Sequence, residues 1–182
     1  VDLSYKGLIS IQSRKGTFVN DYRKEGSIEL LTTLINYNQG DLDPKMLDSL
    51  LEMRLLFETE ITRLAALKRT EDILLLLKDI IKEEESTKQS DIEAFAEIDF
   101  KFHHTIAIAS ENMIYPLLIN SFKNVYLNIL RKFYHKKGVI PVVIDYHKNL
   151  LIAIENREPE KASKIKNNIL IYGEEKLREV LR

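Results

Sequence analysis

The stretch that decides the fold is Ser90-Asp91-Ile92-Glu93-Ala94-Phe95-Ala96-Glu97-Ile98-Asp99-Phe100-Lys101-Phe102-His103. Its apolar residues recur three and four positions apart, which is the period of a helix with one buried face. Ser90-Asp91-Ile92-Glu93 is typical of a capping box, so we expect the helix to begin there and to end near Ser110. Asp99 and His103 lie inside the apolar stripe, where a core residue is expected.

The helical pattern continues through almost all of the chain after about residue 27. Short loops separate the segments, and no internal repeat is present. The chain is therefore predicted to be all-α, an antiparallel bundle of six or seven helices. Besides the helix already described, the predicted segments are a first helix with Ile28, Leu30, Leu31, Leu34 and Ile35, a helix from Asp43-Pro44 to about Lys68, one capped by Thr70, one from Asn112 to His135, one from Pro141 to Asn156, and a last one opened by Pro159.

Residues 7–19 differ from everything that follows them. β-prone residues flank Arg14-Lys15-Gly16, a turn in which we expect Gly16 to supply a positive φ. The pattern predicts a short β-hairpin with a basic tip. An ordinary surface hairpin is the alternative to one with a binding role.

Composition limits the class of protein. The 182 residues carry a formal net charge of −1, with 30% charged and 45% hydrophobic residues, as in a globular protein. This balance argues against a chain that binds nucleic acid over its whole surface. There is no cysteine, and no apolar run approaches the about 20 residues that span a bilayer. We expect a cytoplasmic protein that does not bind membranes.

Two further polar residues lie on apolar stripes. His147 is in the middle of the stripe of the Pro141 helix, and Arg54 is flanked by leucines on the helix after Pro44. A buried carboxylate or guanidinium is costly unless it is paired or bound. Asp99, His103 and His147 are therefore candidate ligands of a divalent metal, for which nitrogen and oxygen donors without sulfur suit zinc, nickel or manganese alike. Arg54 suits the carboxylate or phosphate of a ligand.

Simpler explanations exist for the same residues. Core histidines are often hydrogen-bonded rather than metal-bound, and Asp99 could pair with Arg54. Nothing in the sequence resembles a phosphate-binding glycine loop, a nucleophile elbow or a His-Glu-x-x-His helix. An Asp/His₂ metal site could activate water, so a metal-dependent enzyme is an alternative interpretation of these residues. We nevertheless expect that the chain is not an enzyme.

The chain resembles the FadR subfamily of the GntR transcription regulators. The similarity is carried by the hairpin with Gly16-Thr17-Phe18-Val19, by Leu50-Leu51-Glu52-Met53-Arg54 with Glu58, by the Asp99-Phe100-Lys101-Phe102-His103 motif, by Ala109-Ser110-Glu111-Asn112 and by His147. In that family a winged helix-turn-helix domain precedes an all-helical effector-binding domain.

The resemblance implies two domains. Residues 1–24 would be the end of the winged helix-turn-helix domain, with Arg14, Lys15, Gly16 and Thr17 of its wing contacting DNA. Residues 25–182 would be the effector-binding and dimerisation domain, with Asp99, His103 and His147 as metal ligands and Arg54, Asn168 and Tyr172 at the effector. The full-length protein would bind operator DNA as a homodimer. The family's DNA-reading helices are not among residues 1–182, so this chain by itself is not expected to bind an operator specifically.

Two departures from the family pattern leave the effector open. Metal-binding members supply a further histidine from the last helix, and this chain has none between Ala162 and Leu170. Ala94 to Asp99 and Ile171-Tyr172-Gly173 are closer to the fatty-acid-responsive regulator that gives the subfamily its name, which binds acyl-CoA without metal. The resemblance thus predicts a regulator that senses a small carboxylate, with a divalent metal as an option, or alternatively one that senses acyl-CoA.

Overall fold

The computed structural model describes residues 2–30, 33 and 43–180, which fall into two compact units, 1–43 and 44–182. The first unit contains helix α1 (Asp2–Tyr5), strands β1 (Ile9–Gln12) and β2 (Gly16–Val19), and helix α2 (Tyr22–Glu25). Residues 28–30 are helical, whereas Leu31, Leu34 and Ile35 of the predicted first helix lie outside the described residues.

The predicted β-hairpin is confirmed. β1 and β2 pair antiparallel with Ile9 opposite Val19 and Gln12 opposite Gly16. Gly16 has a φ of 114°, as expected, and Arg14 also has a positive φ of 63°. The turn therefore holds a non-glycine residue in the left-handed region, which the sequence did not reveal.

The second unit is a bundle in which seven helices are described: α3 (Pro44–Lys68), α4 (Glu71–Ser86), α5 (Ile92–Ala109), α6 (Ile114–Ser121), α7 (Lys123–Tyr134), α8 (Val139–Glu155) and α9 (Pro159–Val180). The all-α fold with a small antiparallel hairpin agrees with the prediction. None of the described helices is long and apolar enough to cross a membrane.

The helix ends follow from local chemistry. Thr70 caps α4 by accepting from the backbone N–H of Ile73, as predicted. The predicted capping box at Ser90 was wrong by one residue. Asp91 is the N-cap of α5, because its carboxylate accepts from the N–H of Ala94.

The predicted helix from Asn112 to His135 was also wrong as a single element. Phe122, with φ −97° and ψ 6°, separates α6 from α7. The apolar pattern runs through this break because Phe122 is itself buried. A helical period of three and four residues does not reveal a break in a helix when the residue at the break is buried like its neighbours in the apolar stripe.

Helix α5 is the centre of the bundle and packs against α3, α4, α6 and α7. Helix α9 closes the other side by packing against α3, α7 and α8. The core between them is formed by apolar side chains such as Phe95, Phe102, Leu150 and Ile154. Side chains from α3, α5, α8 and α9 that lie on the inner faces therefore meet in the interior.

Candidate functional site

A group of buried polar side chains lies in the interior of the second unit. Six of them are called the polar centre below: Arg54 and Glu58 on α3, Asp99 and His103 on α5, His147 on α8 and Lys166 on α9. Each is less than 10% exposed. Because a buried charge is costly without partners, the contacts of each group decide what the centre can bind.

Glu58 is the shared counter-ion of two cations. Its Oε1 accepts from Nε of Arg54 at 2.7 Å and from the hydroxyl of Tyr126 at 2.8 Å, and its Oε2 lies 2.6 Å from Nζ of Lys166. Burial by itself would raise the pKa of Glu58, but Arg54 and Lys166 outweigh this effect and hold the pKa below its usual value. Glu58 is therefore ionised.

Lys166 also contacts His103. Its Nζ lies 3.0 Å from Nδ1 and 3.4 Å from Nε2 of the imidazole. Burial lowers the pKa of His103 well below its usual value, and the charge of Lys166 lowers it further, so the ring is neutral. An ammonium can only donate, so we assign the nearer nitrogen, Nδ1, as the acceptor and the ring proton to Nε2.

Asp99 pairs with a hydroxyl rather than with Arg54. Oη of Tyr134 donates to Oδ2 of Asp99 at 2.6 Å. Burial raises the pKa of Asp99, and the nearby His147 and Tyr134 offset this only in part. The sequence left open a pairing of Asp99 with Arg54. In the structure Arg54 instead pairs with Glu58, one turn along the same helix.

His147 is held in one orientation. Its Nδ1 lies 3.0 and 3.1 Å from the two carboxylate oxygens of Glu84, and its ring stacks on Phe102 with centroids 4.3 Å apart. Its Nε2 is buried without a hydrogen-bond partner among the described residues and lies 3.9 Å from Oδ2 of Asp99. A carboxylate behind a histidine is the arrangement that orients a metal ligand.

Asp99, His103 and His147 are close enough to share one ion. One donor atom from each lies within 4.8 Å of the others. His147 has an unpartnered nitrogen for this purpose, whereas the lone pair of His103 faces Lys166. An ion bound to His103 would therefore lie close to the ammonium of Lys166.

A cavity of about 50 Å³ adjoins the polar centre. Its charged or polar lining is formed by Arg54, Asp99, His103 and Glu174, and the remaining lining is apolar apart from Gly173. A water molecule requires about 10–15 Å³ in such a measure, so the cavity has room for a few water-sized groups. This is the size of a short organic acid and far below that of an acyl-CoA.

The other predicted site residues lie elsewhere. Asn168 is exposed on α9. The half-buried Tyr172 meets the ring of Phe133 edge-on and lies tilted against that of Tyr146. Asn168 and Tyr172 are not among the residues that line the cavity. Their role at the effector stays a prediction. Arg14, Lys15, Gly16 and Thr17 are exposed at the tip of the hairpin.

Sequence reasoning missed several members of the site. Lys166 continues the buried stripe of Ala162, Ile169 and Leu177, and Glu84 continues that of Leu77, Ile80 and Ile81. A charged residue at a core position of a helix was the available indication in both cases. Asp99 and His103 were found by the same indication.

Comparisons with known proteins agree with this architecture. Residues 20–175 match the family described as the FadR C-terminal domain. A fatty acid metabolism regulator protein of Shewanella pealeana is 29% identical over 148 residues, which are 81% of this chain and 59% of that protein. The chain thus spans less than two thirds of this relative.

Two solved structures share the fold. E. coli McbR/YncC has a TM-score of 0.69 at 15% identity, with 100% of this chain and 77% of that chain covered. A transcriptional regulator of the GntR family from Pseudomonas syringae has a TM-score of 0.68 at 19% identity, with 99% and 67% covered.

Proposed function

The chain belongs to the FadR C-terminal domain family, and from this premise we propose that it is the effector-sensing part of a transcription regulator. Residues 25–182 are the effector-binding and dimerisation domain in this proposal, and residues 1–24 are the end of a winged helix-turn-helix domain. The full-length protein is a cytoplasmic homodimer that binds operator DNA. The support is the family match together with the regulators named among the relatives.

The effector in this proposal is a small carboxylate. The observation that carries it is the cavity of about 50 Å³ into which Arg54 and His103 face. A guanidinium can hold a carboxylate through two parallel hydrogen bonds, and only one of its nitrogens, Nε, is engaged with Glu58. Binding would then shift the packing of α3 against α5 and α9 and so bias the position of the DNA-binding domains.

Calorimetry with acetate, succinate and citrate tests this proposal, with long-chain acyl-CoA as the competing ligand. We expect a short carboxylate to bind and Arg54→Met to abolish that binding. Arg63→Met is the matched control, because Arg63 lies on the same helix and pairs with Glu60 at the surface. If the short acids bind neither the chain nor the full-length protein, the carboxylate proposal is wrong.

An acyl-CoA effector is the second candidate. The name of the Shewanella relative, a fatty acid metabolism regulator, favours it. Such a ligand needs a tunnel many times larger than the cavity described here, so its binding requires the helices to separate. The same calorimetry decides between them, since acyl-CoA binding in the absence of short-acid binding supports this candidate.

In a variant of the carboxylate proposal, the site also holds a divalent metal ion. Asp99, His103 and His147 would hold it, and zinc, nickel or manganese would each suit these donors. The unpartnered Nε2 of His147 favours this form. Such an ion supplies positive charge to an acidic ligand. Element analysis of protein purified without chelator tests it, with Asp99→Ala as the control that must lose the metal.

A further inference from the structure

Lys166 is a buried cation of the polar centre that the proposed function leaves without a role. The residue is 1% exposed, and its Nζ lies between Oε2 of Glu58 and Nδ1 of His103. A buried ammonium is strongly unfavourable unless it is paired. The contacts of Lys166 therefore show what its charge does in the interior.

The first contact leaves a positive charge at the cavity. Glu58 carries one negative charge and lies between two cations, with Arg54 at Oε1 and Lys166 at Oε2. One carboxylate neutralises one of them, so these three groups together keep one positive charge. Arg54 lines the cavity, whereas Lys166 is not among the lining residues. An anion in the cavity therefore meets the guanidinium of Arg54, beside the carboxyl groups of Asp99 and Glu174 that also line the cavity.

The second contact sets the tautomer of His103. Because Lys166 donates to Nδ1, the proton of the ring lies on Nε2, 3.6 Å from Oδ1 of Asp99. His103 thus offers an N–H donor rather than a lone pair on its other side. A donor suits a carboxylate ligand, whereas a metal ion requires a lone pair.

The same contact excludes a divalent ion from His103. Lys166 lies within 3.4 Å of both ring nitrogens, so an ion on either nitrogen would lie close to an ammonium. Like charges at such a distance repel strongly in an interior. A charged Lys166 and a metal ion bound to His103 therefore disfavour each other.

We propose that Lys166 is a built-in cation that takes the place of a divalent ion, so that Arg54 and His103 receive a small carboxylate without a metal. This proposal rests on the carboxylate site of the proposed function. Lys166 is a positioning residue here, since it acts through the charge balance of Arg54 and the tautomer of His103.

Zinc binding to the 182-residue chain tests the proposal without any knowledge of the effector. We expect Lys166→Met to bind Zn²⁺ about tenfold or more tightly than the wild type, because the lone pair of His103 becomes free and a repelling charge is removed. Adding Asp99→Ala to that variant should remove the gain. Lys164→Met is the matched control, since Lys164 is exposed on the same helix and should leave zinc affinity unchanged. Wild-type protein that binds Zn²⁺ as tightly as Lys166→Met overturns the proposal.

A second measurement on the wild type keeps the proposal testable if Lys166→Met does not fold. Calorimetry with acetate, succinate and citrate is repeated in excess chelator and in excess Zn²⁺. We expect the affinity to be the same within about twofold, and a requirement for Zn²⁺ overturns the role of Lys166. If no acid binds under either condition, the carboxylate site itself is wrong. The zinc affinity of Lys166→His, which adds a fourth donor, then tests Lys166 separately. If the wild type binds Zn²⁺ as tightly as Lys166→His, the built-in cation is overturned as well.

Discussion

At the scale of single residues, Glu58 has the most consequential contacts in the interior. Its carboxylate accepts hydrogen bonds from Arg54 and Tyr126 and forms an ion pair with Lys166, and these three partners come from three different helices. Removing one partner of a buried ion pair usually costs more than the pair contributes, because the remaining charge stays buried and uncompensated. The replacement of Glu58 is therefore a sensitive test of the described arrangement.

Glu58→Gln should lower the free energy of unfolding by about 3–5 kcal/mol, because two buried cations lose their counter-ion. Urea unfolding at neutral pH measures this change. Glu60→Gln is the control, since Glu60 pairs with Arg63 at the surface of the same helix and should change stability by less than about 1 kcal/mol. Equal effects of the two substitutions would contradict a buried role for Glu58.

Glu58 also predicts how stability depends on pH. Its pKa is lower in the folded protein than the usual 4.5, so its ionised form stabilises the fold above pH 4.5, and this contribution is lost as the pH falls below that value. Urea unfolding at a series of acidic pH values should show a shallower decline for Glu58→Gln than for the wild type. If the free energy of unfolding declined equally with pH in both proteins, ionised Glu58 would not stabilise the fold as described.

At the scale of elements, the helices begin and end where the backbone chemistry requires. Thr70 and Asp91 cap α4 and α5 with side-chain oxygens, whereas α8 begins after Gly138, whose φ is 84°. Gly173 lies within α9 in ordinary helical conformation, and an added Cβ there would meet nothing within 4 Å. Gly138 therefore lies in a backbone conformation that disfavours a side chain, whereas Gly173 does not.

Alanine should have opposite effects at these glycines. Gly138→Ala should destabilise the protein by about 1 kcal/mol, because a side chain disfavours the left-handed region. Gly173→Ala should stabilise it by about 0.5–1 kcal/mol through the lower conformational entropy of the unfolded chain. Thermal unfolding followed by circular dichroism measures both, and a loss of stability at Gly173 would mean that the position is more crowded than described.

At the scale of the whole molecule, the two units differ in what they expose. The hairpin of the first unit presents Arg14 and Lys15 to solvent, whereas the second unit contains the whole polar centre. A ligand in the second unit and a nucleic acid at the first would thus contact separate parts of the chain. Such a separation is what a ligand-responsive regulator requires.

The hairpin predicts a weak, salt-dependent affinity for duplex DNA. Replacing both Arg14 and Lys15 by alanine should reduce the slope of log affinity against log salt by about 2, if each neutralises one phosphate. Fluorescence anisotropy with a short duplex at low salt measures the slope. Replacing the exposed Lys88 and Lys164 instead removes the same charge and should leave the slope unchanged. Equal slopes for both pairs would remove the hairpin from the DNA interface.

The sequence by itself determined most of the described helices, the hairpin and the burial of Asp99, His103 and His147, because these follow from the pattern within one segment. It did not reveal the break at Phe122. Only the tertiary structure decided the partners of these residues. Lys166 and His103 are 63 positions apart, as are Glu84 and His147. Local pattern shows that a charge is buried but not which opposite charge meets it, since that depends on how the helices pack. Whether the centre holds a metal ion or a lysine therefore depends on a contact between α5 and α9.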